Sequence, residues 1–463
     1  MRHHSKDYFV IDLFAGCGGL SEGFTQAGFK VISHIEMDKW ACETLKTRCL
    51  YYKLKERKKL YWYFKYLTDE KPRTEILEKF PYIEKEINLE VIKATFGSDP
   101  FEEIVQQVEK TRDYYGTSEF HVLLGGPPCQ PYSLAGRSRD PQRMVNDERH
   151  FLFEHYLRML TTFQPDFFVF ENVPGLITAK AKDEEIFKRI LNDFSLLKPS
   201  YNVAPTYEEL SKNPKDYILN SSRYSVPQNR KRIFLIGYRK NLETKNPSVR
   251  KVFQKILEYG RKTKGVLTVT EAIGDLPAVN PKEGSDSWYG PYMKDDNITP
   301  YQNDMRKNCP GIVNFKARSH MKSDLDRYKY FIEKHLNGNK TATLKDLQRE
   351  RPDLMPDHNH IDKFLDRFRV QWWNRPASTI TAHIRKDGHY YIHPDIHQCR
   401  SFTVREAARC QSFPDNYKFE GPRTEQFKQV GNAVPPRLAR VIATIISKEL
   451  KEIYEKRTSM EHS

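Results

Sequence analysis

Residues 8–36 read YFVIDLFAGCGGLSEGFTQAGFKVISHIE, and their pattern decides the fold. A short apolar run (YFVIDLF) breaks into a glycine turn (AGCGG), a helix-length stretch follows (LSEGFTQAGF), and a second apolar run (KVISHIE) ends on Glu36. That order predicts strand, turn, helix, strand. Two further runs, FHVLLGG (120–126) and DFFVFENV (166–173), are continuously apolar and end in glycine or acid, as buried parallel strands do at their carboxyl ends. FLFEHYLRMLTTF (151–163) between them has helical spacing. The alternation predicts an α/β fold built on a doubly wound parallel sheet.

Composition narrows the class. A chain of 463 residues allows two or three domains and a core that needs no covalent staples. Its seven cysteines are scattered with no CxxC pair, which argues against a secreted disulfide framework and against a zinc site. The first residues offer neither a cleavage site nor an apolar segment of spanning length, so a soluble, cytoplasmic protein is expected, with no membrane partner. The formal charge of +15, from 76 Lys+Arg against 61 Asp+Glu, suits a polyanionic partner, although a solvated basic surface would read the same way.

Beyond the opening unit, residues 46–95 carry a lysine and aromatic run (KTRCLYYKLKERKKLYWYFKYL) that predicts a solvated helical insertion, with DNA-backbone contact as the sharper alternative. From about 240 to 370 the chain turns irregular and polar, with Pro and Gly punctuation that suggests a smaller domain. Order then returns: RPASTITA and GHYYIHPD read as strands, TVREAARCQSF as a helix, and PPRLARVIATIISKELKEIYEK as a long amphipathic terminal helix.

Several of these segments carry groups suited to chemistry. Glycines between a strand and a helix let the backbone turn sharply and approach a ligand, and the helix start favours an anion. An acid at the end of the next strand, Glu36, stands where ribose hydroxyls are bound in such folds. In LLGGPPCQPYS (123–133), Cys129 sits in a proline-stiffened loop after a strand end, a position open to a reactive thiolate or to an inert buried cysteine. Glu171 ends the strand FENV, as a catalytic carboxylate or a solvated cap. Arg230 and Arg232, two apart in QNRKR, are expected on one face of a strand, able to hold a phosphate or a carbonyl edge, or merely exposed.

Taken together, DLFAGCGGLSEGF, GGPPCQPYS, ENV, QNRKR, RPASTITA and GNAVPP occur in the order and approximate spacing of the DNA cytosine-5 methyltransferase family, which the chain resembles from Asp12 to about Pro436. The resemblance implies a Rossmann-like, S-adenosylmethionine-dependent methyltransferase sheet with a smaller, irregular target-recognition domain. It implies a catalytic and cofactor-binding domain over 1–240, a target-recognition domain over 241–394, and a return to the catalytic domain over 395–463.

By the same resemblance, Cys129 attacks C6 of a cytosine, Glu171 acts at N3 and the exocyclic amine, Arg232 binds O2, and Arg230 joins the catalytic set and meets a neighbouring phosphate. Gln130, Ser133, Arg137 and Gln228 are implied DNA contacts, the first two on a loop that closes over DNA. Phe14, Ala15, Gly16, Gly18, Gly19, Glu36, Met37, Asp99, Pro127 and Asn432 are implied around S-adenosylmethionine, which would leave as S-adenosylhomocysteine, with no metal. Met37 departs from the large aromatic residue that family members often carry there, and Asp99 stands in for an acidic contact that the insertion displaces. Arg375 is expected to support packing. Double-stranded DNA is the expected partner, with a cognate restriction endonuclease acting on the same site, a monomeric state and a place at the nucleoid. A tRNA cytosine-5 methyltransferase would share these motifs but typically carries a Cys-Phe-Thr signature, absent here. An inactive DNA-binding regulator is opposed by the intact Cys129, Glu171 and Arg232, and a nicotinamide oxidoreductase would explain none of the later blocks.

Overall fold

The computed structural model describes residues 7–128, 151–181, 184–294, 297–338, 341–356 and 365–461. The opening pattern folds as read. Strand β1 (Phe9–Leu13) runs into the glycine turn, helix α1 (Gly19–Gln26) follows, and β2 (Lys30–Glu36) returns parallel to β1. Strands β3 (Val91–Lys93), β4 (Val122–Gly125), β5 (Phe167–Asn172), β6 (Tyr201–Ala204), β7 (Ile218–Asn220) and β8 (Lys231–Arg239) complete the sheet. Its order is β3-β2-β1-β4-β5-β8-β6, with β7 also paired to β8. The first five strands are parallel, and β8 is antiparallel to β5, β6 and β7. Strand order reverses direction between β1 and β4, which opens a crevice at their carboxyl ends.

The strands lack polar alternation because both faces are covered. Val10 lies in one core with Phe24 of α1 and with Leu438, Ile442 and Ile446 of the terminal helix (Pro436–Glu461). Ile11 and Leu13 face the other way, into a core with Ile104, Tyr156 and Phe168. At roughly 25 cal/mol per Å² of apolar area, burying each such side chain contributes about 1.5–3 kcal/mol.

Three sequence expectations are corrected. Residues 46–95 are helical but not a solvated appendage: α2 (Lys39–Glu56), α3 (Leu60–Leu67), α4 (Arg73–Lys79) and α5 (Pro81–Glu90) close around their own core of Leu54, Tyr63, Leu67, Ile76 and Ile83. Half of the lysines that suggested solvation are ion-paired, as in Lys53 with Glu90 at 2.5 Å, while Tyr51, Tyr63 and Tyr66 turn inward. The 240–370 region is more regular than its polarity suggests, containing helices Val252–Lys262 and Lys322–Gly338 and a hairpin of Gly284–Pro291 with Gly311–Lys316. RPASTITA and GHYYIHPD are barely strands. Only Ala377–Ser378 pairs, with Gln228–Asn229, and His389–Tyr391 is a 3-10 turn entered through Gly388 at φ 79°. Hydrogen bonds there go to side chains instead, as when Gln371 Oε1 accepts from Ser378 N at 2.8 Å.

Candidate active site

The rim at the carboxyl ends of β1, β2, β4 and β5 carries two groups of functional side chains. The first lies around the glycine turn. Gly16, at φ 56°, has nothing within 4 Å of where a Cβ would stand, so the turn is open to a ligand on that side. Glu36 closes the turn: Oε2 accepts the Gly16 N–H and Oε1 the Asp38 N–H, both at 2.8 Å. Burial raises its pKa above the ordinary carboxylate value, opposed by those two N–H groups. Each oxygen of a carboxylate can accept a further hydrogen bond, so Glu36 is held in orientation without being saturated.

Phe14, at φ 54°, packs its ring 5.1 Å from that of Phe96. The Phe96 turn brings Asp99 to the same rim, although the Asp99 carboxylate accepts from Thr95 N at 2.6 Å and so is partly engaged in its own turn. Met37 is exposed and Ala15 packs on the core of the helical insertion. Gly19 meets the far end of the chain: a Cβ there would lie 2.2 Å from the Val434 carbonyl oxygen. Glycine at this position lets the GNAV segment lie on the turn, with exposed Asn432 beside it. An apolar ring, an oriented carboxylate and a glycine turn open at Gly16 fit an adenosine-bearing cofactor.

The second group centres on Glu171. Its Oε1 is 2.9 Å from Arg232 Nε, across the β5–β8 pairing that sets Glu171 opposite Phe234. Both side chains are nearly enclosed, at 14% and 13% exposure. Burial raises the Glu171 pKa, and the charges of Arg232 and Arg230 oppose that rise without cancelling it. A Cβ on Gly126 would fall 2.9 Å from Glu171 Oε2, so the GGPP run passes directly over the carboxylate. Pro127 is buried, and its carbonyl accepts from Asn172 Nδ2 at 3.4 Å. Cys129, Gln130, Ser133 and Arg137 lie outside the described residues; Cys129 follows Pro128 directly in the chain.

Two expected surface roles do not fit. Arg230 is 1% exposed, and its guanidinium donates to the carbonyls of Ile380 (2.6 Å), Gly431 (3.2 Å) and Asn432 (3.4 Å). It joins the C-terminal segments to the sheet and, so placed, offers no face to a phosphate. Gln228 is fully buried, donating to Gln411 Oε1 at 3.0 Å and accepting from Ile380 N at 2.9 Å, which argues against a DNA contact. The Arg375 side chain is exposed, and its carbonyl accepts from Val269 N at 2.9 Å.

Sequence reading gave no role to Asp12 or Asn172. Asp12 accepts from Ser21 Oγ at 2.6 Å, fastening α1 behind the turn, and burial pushes its pKa up to about 7. The Asn172 side-chain amide, beside Glu171, donates to the Pro127 carbonyl; its place next to an acid at a strand end was the available signal. Among the described residues no group of three or more His, Cys, Asp or Glu is placed to hold a metal, and no helix is long and apolar enough to cross a membrane.

A Rossmann-like sheet with a candidate ligand rim at the strand-order reversal and a buried acid–arginine pair beside it defines the class as an α/β fold suited to a nucleoside-bearing ligand. Comparison with known proteins makes the assignment specific. The profile of the family described as C-5 cytosine-specific DNA methylase matches residues 8–61 and 83–448, and the chain belongs to that family. It is 39% identical to the type II methyltransferase M.Bpa9945I of Bacillus paralicheniformis, over 94% of this chain and 98% of that one. It is 31% identical to M.DdeI of Desulfomicrobium norvegicum, over 95% and 88%. A solved E. coli structure described as a prophage-encoded DNA modification methyltransferase superposes with a TM-score of 0.61 at 23% identity, covering 96% of this chain and all of that one, which shows the shared fold.

Proposed function

We propose that this chain methylates C5 of a cytosine flipped out of duplex DNA at one specific sequence, with Cys129 as the nucleophile, Glu171 as the acid and Arg232 holding both the acid and the base's O2. The observation that carries this reading is Glu171: nearly enclosed, biased toward its protonated form, oriented by Arg232 at 2.9 Å, and overlain by the loop that leads into Cys129.

C5 of cytosine is a poor nucleophile until C6 is attacked. The Cys129 thiolate adds to C6 while the Glu171 carboxyl gives its proton to N3, so the electron pair of the C5–C6 bond collects on C5. S-adenosylmethionine, when bound, supplies an electrophilic methyl group to that carbon. A base then removes the C5 proton, the C6–sulfur bond breaks to release the Cys129 thiolate, and the N3 proton returns to Glu171. Phe14, Gly16, Gly18, Gly19, Glu36, Met37, Pro127 and Asn432 would hold the cofactor, with Glu36 on the ribose hydroxyls. Flipping the base costs a few kcal/mol of stacking and pairing, which contacts from the 241–394 region and from Gln130, Ser133 and Arg137 offset.

The relatives named type II methyltransferases support a role in DNA modification; protection against an endonuclease of the same specificity, by a monomeric cytoplasmic enzyme, belongs to the same proposal. Purified protein should transfer labelled methyl from S-adenosylmethionine to duplex DNA, and Cys129→Ser should reduce transfer to background while leaving cofactor affinity intact. Equal transfer by the variant would remove Cys129 from the mechanism.

A further inference from the structure

The family profile leaves residues 62–82 unmatched, and that stretch is not idle surface. Helix α3 ends at Leu67, and Asp69 follows in the left-handed conformation, φ 57°, which turns its carboxylate away from the helix. Oδ1 accepts from Ser287 Oγ at 2.6 Å and lies 3.3 Å from Lys418 Nζ, while Oδ2 accepts from Trp288 N at 3.1 Å. One side chain therefore ties its own turn to two other segments, each more than 200 residues away from it in sequence.

The hydrophobic packing agrees with the hydrogen bonds. The core of the helical insertion takes in Val313 of the 284–316 hairpin, fully buried, with Trp288 and Cys309 packed against it, and Ala15 of the glycine turn packs against the same core. Tyr63 donates to the Asn416 carbonyl at 2.8 Å, and Thr47 to Glu420 at 2.7 Å, fixing the insertion to the 415–420 segment. On the hairpin's outer side Tyr289 and, just beyond it, Met293 remain exposed.

We propose that the insertion is a strut between the cofactor turn and the hairpin of the recognition region, and that Asp69 is a positioning residue that sets the hairpin for DNA. This rests on the DNA-methyltransferase reading. Binding improves when the contacting segment is already ordered in its bound geometry, so loss of the tie should weaken DNA engagement without touching chemistry.

The test is steady-state methylation of a duplex substrate by full-length protein, with Asp69→Ala and Asp69→Asn measured beside wild type, together with cofactor affinity and thermal midpoint. Asp69→Ala should raise the KM for DNA about tenfold, with kcat and cofactor affinity within about twofold of wild type. Asp69→Asn, whose carbonyl oxygen can still accept from Ser287 or Trp288, should recover most of that loss. If Asp69→Ala does not fold, Ser287→Ala should raise the DNA KM in the same sense and decides the matter. An unchanged KM in these variants, or a matching fall in cofactor affinity, overturns the strut. A wild-type protein that methylates no DNA would instead overturn the reading on which it rests.

Discussion

Glu171 stands at a strand end whose surroundings suit the acid role proposed for it. Burial favours its protonated form, and Arg232 limits the rise without removing it, so the carboxyl holds its proton to higher pH than an ordinary glutamate. The sign of the pH dependence follows: methyl transfer should decline on the alkaline side as Glu171 loses its proton. Glu171→Gln should lower kcat by about 100-fold or more and abolish that alkaline limb, with DNA affinity little changed; a pH–rate series on both proteins measures this. Glu36 and Glu171 were legible in the sequence because a strand's carboxyl end is a position that local pattern specifies. Arg230 and Gln228 were not. Their partners, Ile380, Gly431, Asn432 and Gln411, lie at least 150 residues away, so local pattern could not show that both side chains are taken up in packing the C-terminal segments.

At the scale of elements, the segments predicted from long, strongly patterned runs formed as read, α1 and the terminal helix among them. Those predicted from short β-rich strings did not, because pairing stops at the two residues Ala377–Ser378 and the 389–392 turn has only isolated bridges at Ile392. The helical insertion was misjudged as solvated because its aromatics and lysines are interleaved, and only tertiary packing sorts them. Helix Val404–Cys410 illustrates a charge arrangement that sequence alone does not reveal. Glu406 is buried, which by itself would raise its pKa, yet the Arg400 guanidinium at 2.7 Å and the Thr403 N–H bring it down to about 2. A carboxylate depressed in the folded state stabilises the fold above its unfolded pKa and ceases to do so as pH falls through the folded value. Thermal unfolding should therefore lose about 3 kcal/mol between pH 4.5 and 2 from this group, and Glu406→Gln should be destabilised at pH 7 with a flatter acid limb. An acid limb identical in the two proteins would contradict the assignment.

Across the whole molecule, one site is assembled from distant parts of the chain. The N-terminal glycine turn is covered by Val434, the sheet is fastened by Arg230 to segments near 380 and 431, and the insertion core joins Ala15 to Val313. The class of this architecture was legible because six short motifs recur in a fixed order; how the recognition region is held was not, because the unmatched 62–82 stretch carries no shared pattern. The central claim, a covalent Cys129 step on flipped cytosine in DNA, is tested most directly by trapping. A duplex carrying 5-fluorocytosine at the target position cannot lose a proton from C5, so the enzyme should remain covalently attached after methylation. With S-adenosylmethionine present, the account predicts a denaturation-resistant protein–DNA adduct whose attachment maps by peptide mass to Cys129 and which Cys129→Ser does not form. An adduct at another residue, or none on a duplex that the wild type methylates at cytosine, would contradict it.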